Sequence, residues 1–233
     1  MAEIGKAGAC ARAAAIGARA ALYTRRMASP FVVPLKREQL SEAAASLARA
    51  FQDDPLQTHV FPDPVERAAR SPAHFGPVLE YGLRFGTVLT TAGEPTGSAV
   101  WLPPGNTHVT DDRAAEAGLD RLPELLGVDA ATRFFAALSA VEPYHRSDMP
   151  EDHWYVLVVG VEPAAQGQGV GGAVLAPILE QAELDGLPCY LETAQPRNIG
   201  FYEHLGFRVL REVVSAENGL RLWTFRRDRA GAA

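Results

Sequence analysis

The 233-residue chain has the length of one ordinary domain with a real core, and its 47% hydrophobic content is that of a soluble globular sequence. Its 22 basic and 28 acidic residues give a net charge of −6, which argues against nucleic acid as a partner, and no apolar run reaches the roughly 18 to 20 residues that span a bilayer, so no membrane partner is expected. Two cysteines, Cys10 and Cys189, are too few for a disulfide framework and lack metal-ligand spacing, which points to a reducing, cytoplasmic setting and to no metal.

Residues 1–26 are Ala-rich, with Lys6, Arg12, Arg19, Arg25 and Arg26 against one acid, Glu3. They read as an extension, disordered or ahead of a true start at Met27, and residues 27–233 as a single domain. Phe31 to Leu35 predicts a first strand, marked as an edge by Pro34. Leu40, Ala44, Leu47, Ala48 and Phe51 share one face of a helix that Asp53-Asp54-Pro55 is expected to end. Val65 to Phe85 reads as helical, broken at Pro72 and Pro77. Thr87 to Thr91 and Gly97 to Leu102 predict a strand pair around the turn Gly93-Glu94-Pro95-Thr96. From Arg113 to Val141 two helices are expected, interrupted at Pro123 and Gly127.

Trp154 to Val161 is the strongest strand signal, an almost continuous apolar run of the kind buried on both faces. A helix from Gly172 to Leu184, a strand from Pro188 to Glu192 holding Cys189 as a core residue, a short helix over Ile199 to Leu205, and strands over Phe207 to Val214 and Leu220 to Arg226 follow. Strands that first pair and then alternate with helices define an α/β (α+β) class with a mixed sheet in one domain.

Between the buried strand and the next helix lies Gln166-Gly167-Gln168-Gly169-Val170-Gly171-Gly172. Such a turn aims backbone N–H groups outward at the positive end of a helix and makes a cradle for phosphates. Gly167, Gly169 and Gly172 satisfy the dinucleotide pattern GxGxxG, with Glu192 near the position of a ribose-binding acid. However, Glu162 to Gln166 separate the strand from the first glycine, and little chain remains to build that fold. A P-loop is excluded because Ala173-Val174 stand where Lys and Ser/Thr would reach phosphate and magnesium.

A strand ending in Val161-Glu162-Pro163, then Gln-Gly-x-Gly-x-Gly opening a helix, resembles the acetyl-CoA signature of the GNAT superfamily of N-acetyltransferases. The segment Leu191 to Phe207 resembles that superfamily's Asn-x-x-x-Tyr-x-x-x-Gly-Phe pattern at Asn198, Tyr202 and Gly206-Phe207. Its Leu191-Glu192-Thr193, Pro196-Arg197-Asn198 and Phe201-Tyr202-Glu203 are most similar to the puromycin N-acetyltransferases. The resemblance implies a mostly antiparallel sheet splayed at the acetyl-CoA site and flanked by helices. It also implies that the backbone of Val159, Gly160 and Val161 meets the pantetheine arm and that Gln166, Gly167, Gln168, Gly169, Val170 and Gly171 hold the pyrophosphate. Gln166 stands where many members carry Arg, which lowers the fixed positive charge offered to the diphosphate.

By the same resemblance Tyr202 is the acid that serves the departing thiolate. Asn198 bonds the cofactor arm or is an ordinary turn residue, and Glu192 is the base or a carboxylate holding the turn. His145 and His153 read as surface or core histidines, and Trp101 and Trp154 as core aromatics. The implied partner is a small-molecule amine, antibiotic-like or metabolic, acetylated from acetyl-CoA by direct attack by a monomer or homodimer. The acidic pair Asp53-Asp54 suits a cationic amine or simply ends a helix. A peptide N-acetyltransferase and a non-catalytic acyl-CoA-binding regulator stay open as alternatives.

Overall fold

The structure, a computed structural model, describes residues 30–215 and 219–229. The expectations for residues 1–26, Cys10 included, lie outside the described residues. Strand β1 (Val32–Pro34) precedes helices α1 (Leu40–Ala50), α2 (Pro55–Val60) and α3 (Pro64–Phe85). Strands β2 (Thr87–Thr91) and β3 (Gly97–Leu102) lead into α4 (Asp111–Ala117), α5 (Leu122–Leu126), α6 (Val128–Ser139) and α7 (Glu142–Asp148). Then come β4 (Trp154–Val161), α8 (Val170–Asp185), β5 (Cys189–Thr193), α9 (Ile199–His204), β6 (Arg208–Val214) and β7 (Arg221–Arg227).

The seven strands form one open sheet in the order β1-β2-β3-β4-β5-β7-β6. Every neighbouring pair is antiparallel except β4 and β5, which run parallel. Helix α8 covers one face: Val174, Leu175, Ile178 and Leu179 pack on Ala99, Trp101 and Val156. On the other face Ala44, Leu47 and Ala48 of α1 and Phe75 and Leu79 of α3 pack on Val88 and Val100. Each fully buried Leu, Val or Phe in these layers contributes about 1.5–3 kcal/mol over an exposed one.

Two expectations are corrected, and a third, that Asp53-Asp54-Pro55 ends α1, holds and is extended. Helix α3 is continuous through Pro72 and Pro77. Each proline removes one ladder bond at a cost of about 3 kcal/mol, but Ser71, His74, Phe75, Val78, Leu79 and Gly82 form one buried face that holds the helix together. Asp54 does not merely stop α1; its carboxylate accepts from Leu56 N at 2.9 Å and starts α2 as its N-cap, with Pro55 in the first turn. The region after β3 holds four short helices: Pro123 lies in the first turn of α5, and Gly127, at φ +86°, separates α5 from α6. Residues 113–141 therefore carry more ends than the two breakers advertise.

Candidate active site

Strand β4 is not buried on both faces: only Val156 is fully buried, and the rest of the strand is half-buried. The reason is its neighbour. β4 and β5 pair only at Trp154↔Cys189 and Tyr155↔Tyr190, after which both strands continue without partnering each other. Their backbone groups along this divergence face a gap, where an unmade hydrogen bond is costly and a ligand is the natural complement.

A register shift on β3–β4 sets Val100 opposite Val158 and Trp101 opposite Val156, leaving Leu157 as the extra residue of a bulge. Beyond it, Glu162 N donates to Thr96 O at 2.7 Å, which fixes the alternation. Gly160 turns its N–H and C=O to β3, and Val159 and Val161 turn theirs to the gap. Gly160 contributes by its missing side chain, because a Cβ there would meet Leu47 Cδ2 of α1 at 2.7 Å and Cε2 of Phe51, the C-cap of α1, at 2.9 Å.

At the end of β4 the chain makes the exposed turn Gln166–Gly169 and enters α8. Gly167 at φ +71° and Gly169 at φ +83° take the left-handed conformation that side chains with a Cβ disfavour. The helix starts at Val170, two residues earlier than expected, and its ladder opens with Ala173 N to Gly169 O at 3.0 Å. The N–H groups of Val170, Gly171 and Gly172 precede that ladder and point out of the helix end. Gln166 Nε2 donates to Val161 O and Gln168 Nε2 to Ala164 O, both at 3.0 Å, so these side chains brace the turn. Arg49 of α1 bonds Glu162 at 2.7 Å and ties α1 to the same corner.

Tyr202 of α9 is buried, its ring packed with Phe201, Phe207 and Phe225. Burial, and then the charge of Asp54, hold its hydroxyl above the ordinary phenol value. Asp54 is itself raised to about 6 by burial, against hydrogen bonds from Leu56 and Gln57 N–H and the charge of Arg197. Gln195 Nε2 reaches Asp53 O at 3.4 Å, so the loop after β5 touches the α1–α2 corner. Asn198 is half-buried at the N-cap of α9 but makes no side-chain cap bond.

Glu192 lies on the face of β5 opposite Leu191 and is nearly buried. Tyr155 donates its O–H to Glu192 Oε2 at 2.9 Å, and His145 Nδ1 lies 3.8 Å from Oε1. Desolvation raises this carboxyl to about 8, opposed by the Tyr155 hydrogen bond and helped by the charges of Glu142 and Asp148. His145, stacked on Tyr190 with ring centroids 4.4 Å apart, is buried, and desolvation lowers it to about 3. Ligand-type atoms of His108, Glu142 and His145 lie within 4.8 Å of one another, but both ring nitrogens of His145 are turned to protein partners, His153 and Glu192. Trp101 is a fully buried core residue, Trp154 bonds Asp185 at 3.0 Å, and Tyr144 lies under the Arg211 guanidinium.

The sequence reading named Glu192 but missed Tyr155 and His145 as its partners. The alternation of β4 put Tyr155 on the face opposite Val156, a signal that was available; the position of His145 on the separate helix α7 left none.

An open sheet parted between two parallel central strands, with a glycine turn and helix N-terminus at the end of the parting, is the architecture of acyl-transfer enzymes of one large class. Residues 100–207 match the model of the acetyltransferase (GNAT) family. An uncharacterised N-acetyltransferase of Schizosaccharomyces pombe is 30% identical over 179 residues, covering 74% of this chain and 72% of that relative. The chain belongs to the acetyltransferase (GNAT) family and is an acyltransferase. Among solved structures it resembles a Corynebacterium glutamicum protein described as histone acetyltransferase HPA2 and related acetyltransferase, with TM-score 0.65, 24% identity, and coverage of 87% of this chain and 97% of that one. It also resembles the Drosophila melanogaster polyamine N-acetyltransferase, with TM-score 0.57, 15% identity, and coverage of 85% and 99%. At these identities both structures bear on the fold alone. No helix among the described residues is long and apolar enough to cross a membrane.

Proposed function

We propose that this enzyme transfers an acetyl group from acetyl-CoA to the primary amine of a small molecule by direct attack in a ternary complex. The observation that carries the reading is the parting of β4 from β5 after Tyr155 and Tyr190, which leads from strand backbone that β5 does not pair to the Gln166–Gly171 turn. In this reading the pantetheine arm lies along Val159 and Val161, and the diphosphate accepts from the N–H groups of the turn. The thioester carbonyl accepts from strand backbone, which stabilises the oxyanion as the amine adds.

The ammonium first gives a proton to ionised Glu192; the free amine adds to the carbonyl carbon; the tetrahedral intermediate expels the thiolate and loses a second proton from nitrogen. The net change is ammonium plus acetyl-CoA to amide, thiol and one proton. Tyr202 hydrogen-bonds the departing sulfur. With its hydroxyl held above 10 and the thiol near 8.5, it stabilises the thiolate more by donating a hydrogen bond than by surrendering its proton. In this reading Asn198, whose amide makes no cap bond, bonds the cofactor arm.

Asp54 near the Tyr202 hydroxyl and Glu142 near Glu192 favour a cationic acceptor. The Leu191 to Glu203 segment supports an acceptor of the aminonucleoside kind, hence a role in antibiotic inactivation in the cytoplasm; the puromycin N-acetyltransferases it resembles carry Asp-Tyr-Pro where this chain has Asp53-Asp54-Pro55, which speaks against puromycin itself. The test is acetyl-CoA-dependent thiol release with puromycin, other aminonucleosides, polyamines, amino acids and short peptides as acceptors. Release confined to one small-amine class supports the reading. Release with peptides alone moves the substrate to a protein terminus, and cofactor binding without release moves the protein to a regulator.

A further inference from the structure

The two buried histidines, read from sequence as ordinary surface or core residues, sit in a chain of hydrogen bonds whose directions can be worked out. His153 Nδ1 lies 2.8 Å from the carbonyl oxygen of Glu151, which only accepts, so Nδ1 carries the proton. Burial keeps His153 below its ordinary value, so the ring is neutral and its Nε2 is a lone pair. His145 Nε2 lies 2.9 Å from that lone pair and must donate to it. His145 is neutral too, which leaves its Nδ1 as a lone pair, and this nitrogen faces Glu192 Oε1 at 3.8 Å. The other carboxyl oxygen accepts from the Tyr155 hydroxyl at 2.9 Å.

We propose that Tyr155 and His145 act on Glu192 as an opposed pair of positioning residues: Tyr155 donates to the carboxylate, His145 accepts from the carboxylic acid, and His153 fixes the tautomer of His145 that makes acceptance possible. The inference rests on Glu192 being the base. Before the amine is deprotonated, Tyr155 holds the ionised carboxyl in place. Once Glu192 has taken the proton, its O–H turns to His145 Nδ1, and a modest torsional adjustment closes the 3.8 Å gap to a hydrogen bond. A protonated imidazole could not play this part, since it would donate and favour the carboxylate; burial of His145 between Tyr155 and Tyr190 disfavours that state.

The groups that face Glu192 are Tyr155 from β4, Tyr190 from its own strand, His145, Glu142 and Asp148 from α7, and Thr224 across the ladder on β7. Asp148 is held by Arg211 at 2.6 Å and by the Thr224 hydroxyl at 3.2 Å, and Glu142 pairs with Arg146 at 2.8 Å and His108 at 3.1 Å. His145 is faced in addition by His108 and Arg146. Tyr190 acts on Glu192 in the same sense as Tyr155, its hydroxyl favouring the ionised carboxyl, whereas His145 meets Oε1 with the opposite hydrogen-bond sense.

The experiment is an infrared titration of the protonated-carboxyl stretch that Glu192→Gln abolishes, beside the pH dependence of kcat/KM, in the full chain. Tyr155→Phe removes the donor and is expected to move both midpoints up by about one pH unit, a tenfold fall in kcat/KM on the acidic side. His145→Phe removes the acceptor and moves them down by a similar amount, and His145→Gln, whose amide oxygen can accept, restores part of the shift. His153→Phe leaves Glu192 and its contacts in place but frees the His145 tautomer, and also moves the midpoints down. Loss of packing alone would not shift two neighbours in opposite directions. Shifts of one sign, or none, in the infrared titration overturn the pairing. If that titration behaves as expected while Glu192→Gln retains the acidic limb of kcat/KM, the assignment of Glu192 as base fails and the opposed action on its carboxyl stands as a structural device only, which overturns the catalytic role inferred here.

Discussion

A carboxyl buried beside Tyr155, with Glu142 and Asp148 nearby, keeps its proton to about pH 8, and a base that is protonated cannot accept. The rate at low substrate is therefore expected to climb with pH up to about 8, far above the range of an ordinary Glu. Glu192→Gln should lower kcat/KM by about a hundredfold and flatten that climb, the size typical of losing a positioned base. Tyr202→Phe should reduce kcat by about tenfold while acetyl-CoA affinity stays within about threefold, since the ring packing survives and one hydrogen bond to the leaving sulfur is lost. An unchanged kcat would remove Tyr202 from the reaction.

The glycine turn and the strands around it operate as one element. Gly169 holds φ +83° with open space around the position of a Cβ, so Gly169→Ala costs about 1–2 kcal/mol of local strain but strikes no neighbour. Its expected effect is a rise of about tenfold in KM for acetyl-CoA with kcat little altered, measured by saturation kinetics; a change in kcat alone would mean the turn acts elsewhere than on the cofactor. In α3, Pro72→Ala should raise the urea midpoint by the equivalent of about 1 kcal/mol or more, because the helix is already formed there and gains a ladder bond. The contrast shows what was readable. The period of Leu40 to Phe51 and the apolar run Trp154 to Val161 marked α1 and β4 from local pattern, and the glycine spacing marked the turn. The parting of β4 from β5 was invisible to periodicity, because it depends on which strands become neighbours. The surroundings of Glu192 join β4, β5 and α7, whose residues 155, 192 and 145 carry no common spacing. Pro72 and Pro77 misled for the complementary reason: tertiary packing overrode a local rule.

At the scale of the whole molecule, several buried groups link stability to pH. Glu192 binds its proton in the native state up to about 8 but only to its ordinary value near 4.5 when unfolded, so its contribution is lost as pH rises through the folded value. Unfolding free energy should fall by about 2 kcal/mol between pH 6.5 and 9, and Glu192→Gln should remove that fall in urea titrations. His74, lowered to about 4 by burial and bonded to Gln57 at 3.0 Å, and His145, lowered to about 3, are neutral in the fold. Their contribution is present above about 6.5 and is lost on acidification, with Asp54, raised to about 6, working against them. These links follow from burial alone, whereas the account of function turns on the gap between β4 and β5. Amide hydrogen exchange with and without acetyl-CoA addresses it directly. Slowed exchange confined to the ends of β4 and β5 and to Gly167–Ala173 is the predicted result; binding with protection elsewhere, or none at any cofactor concentration, would contradict it.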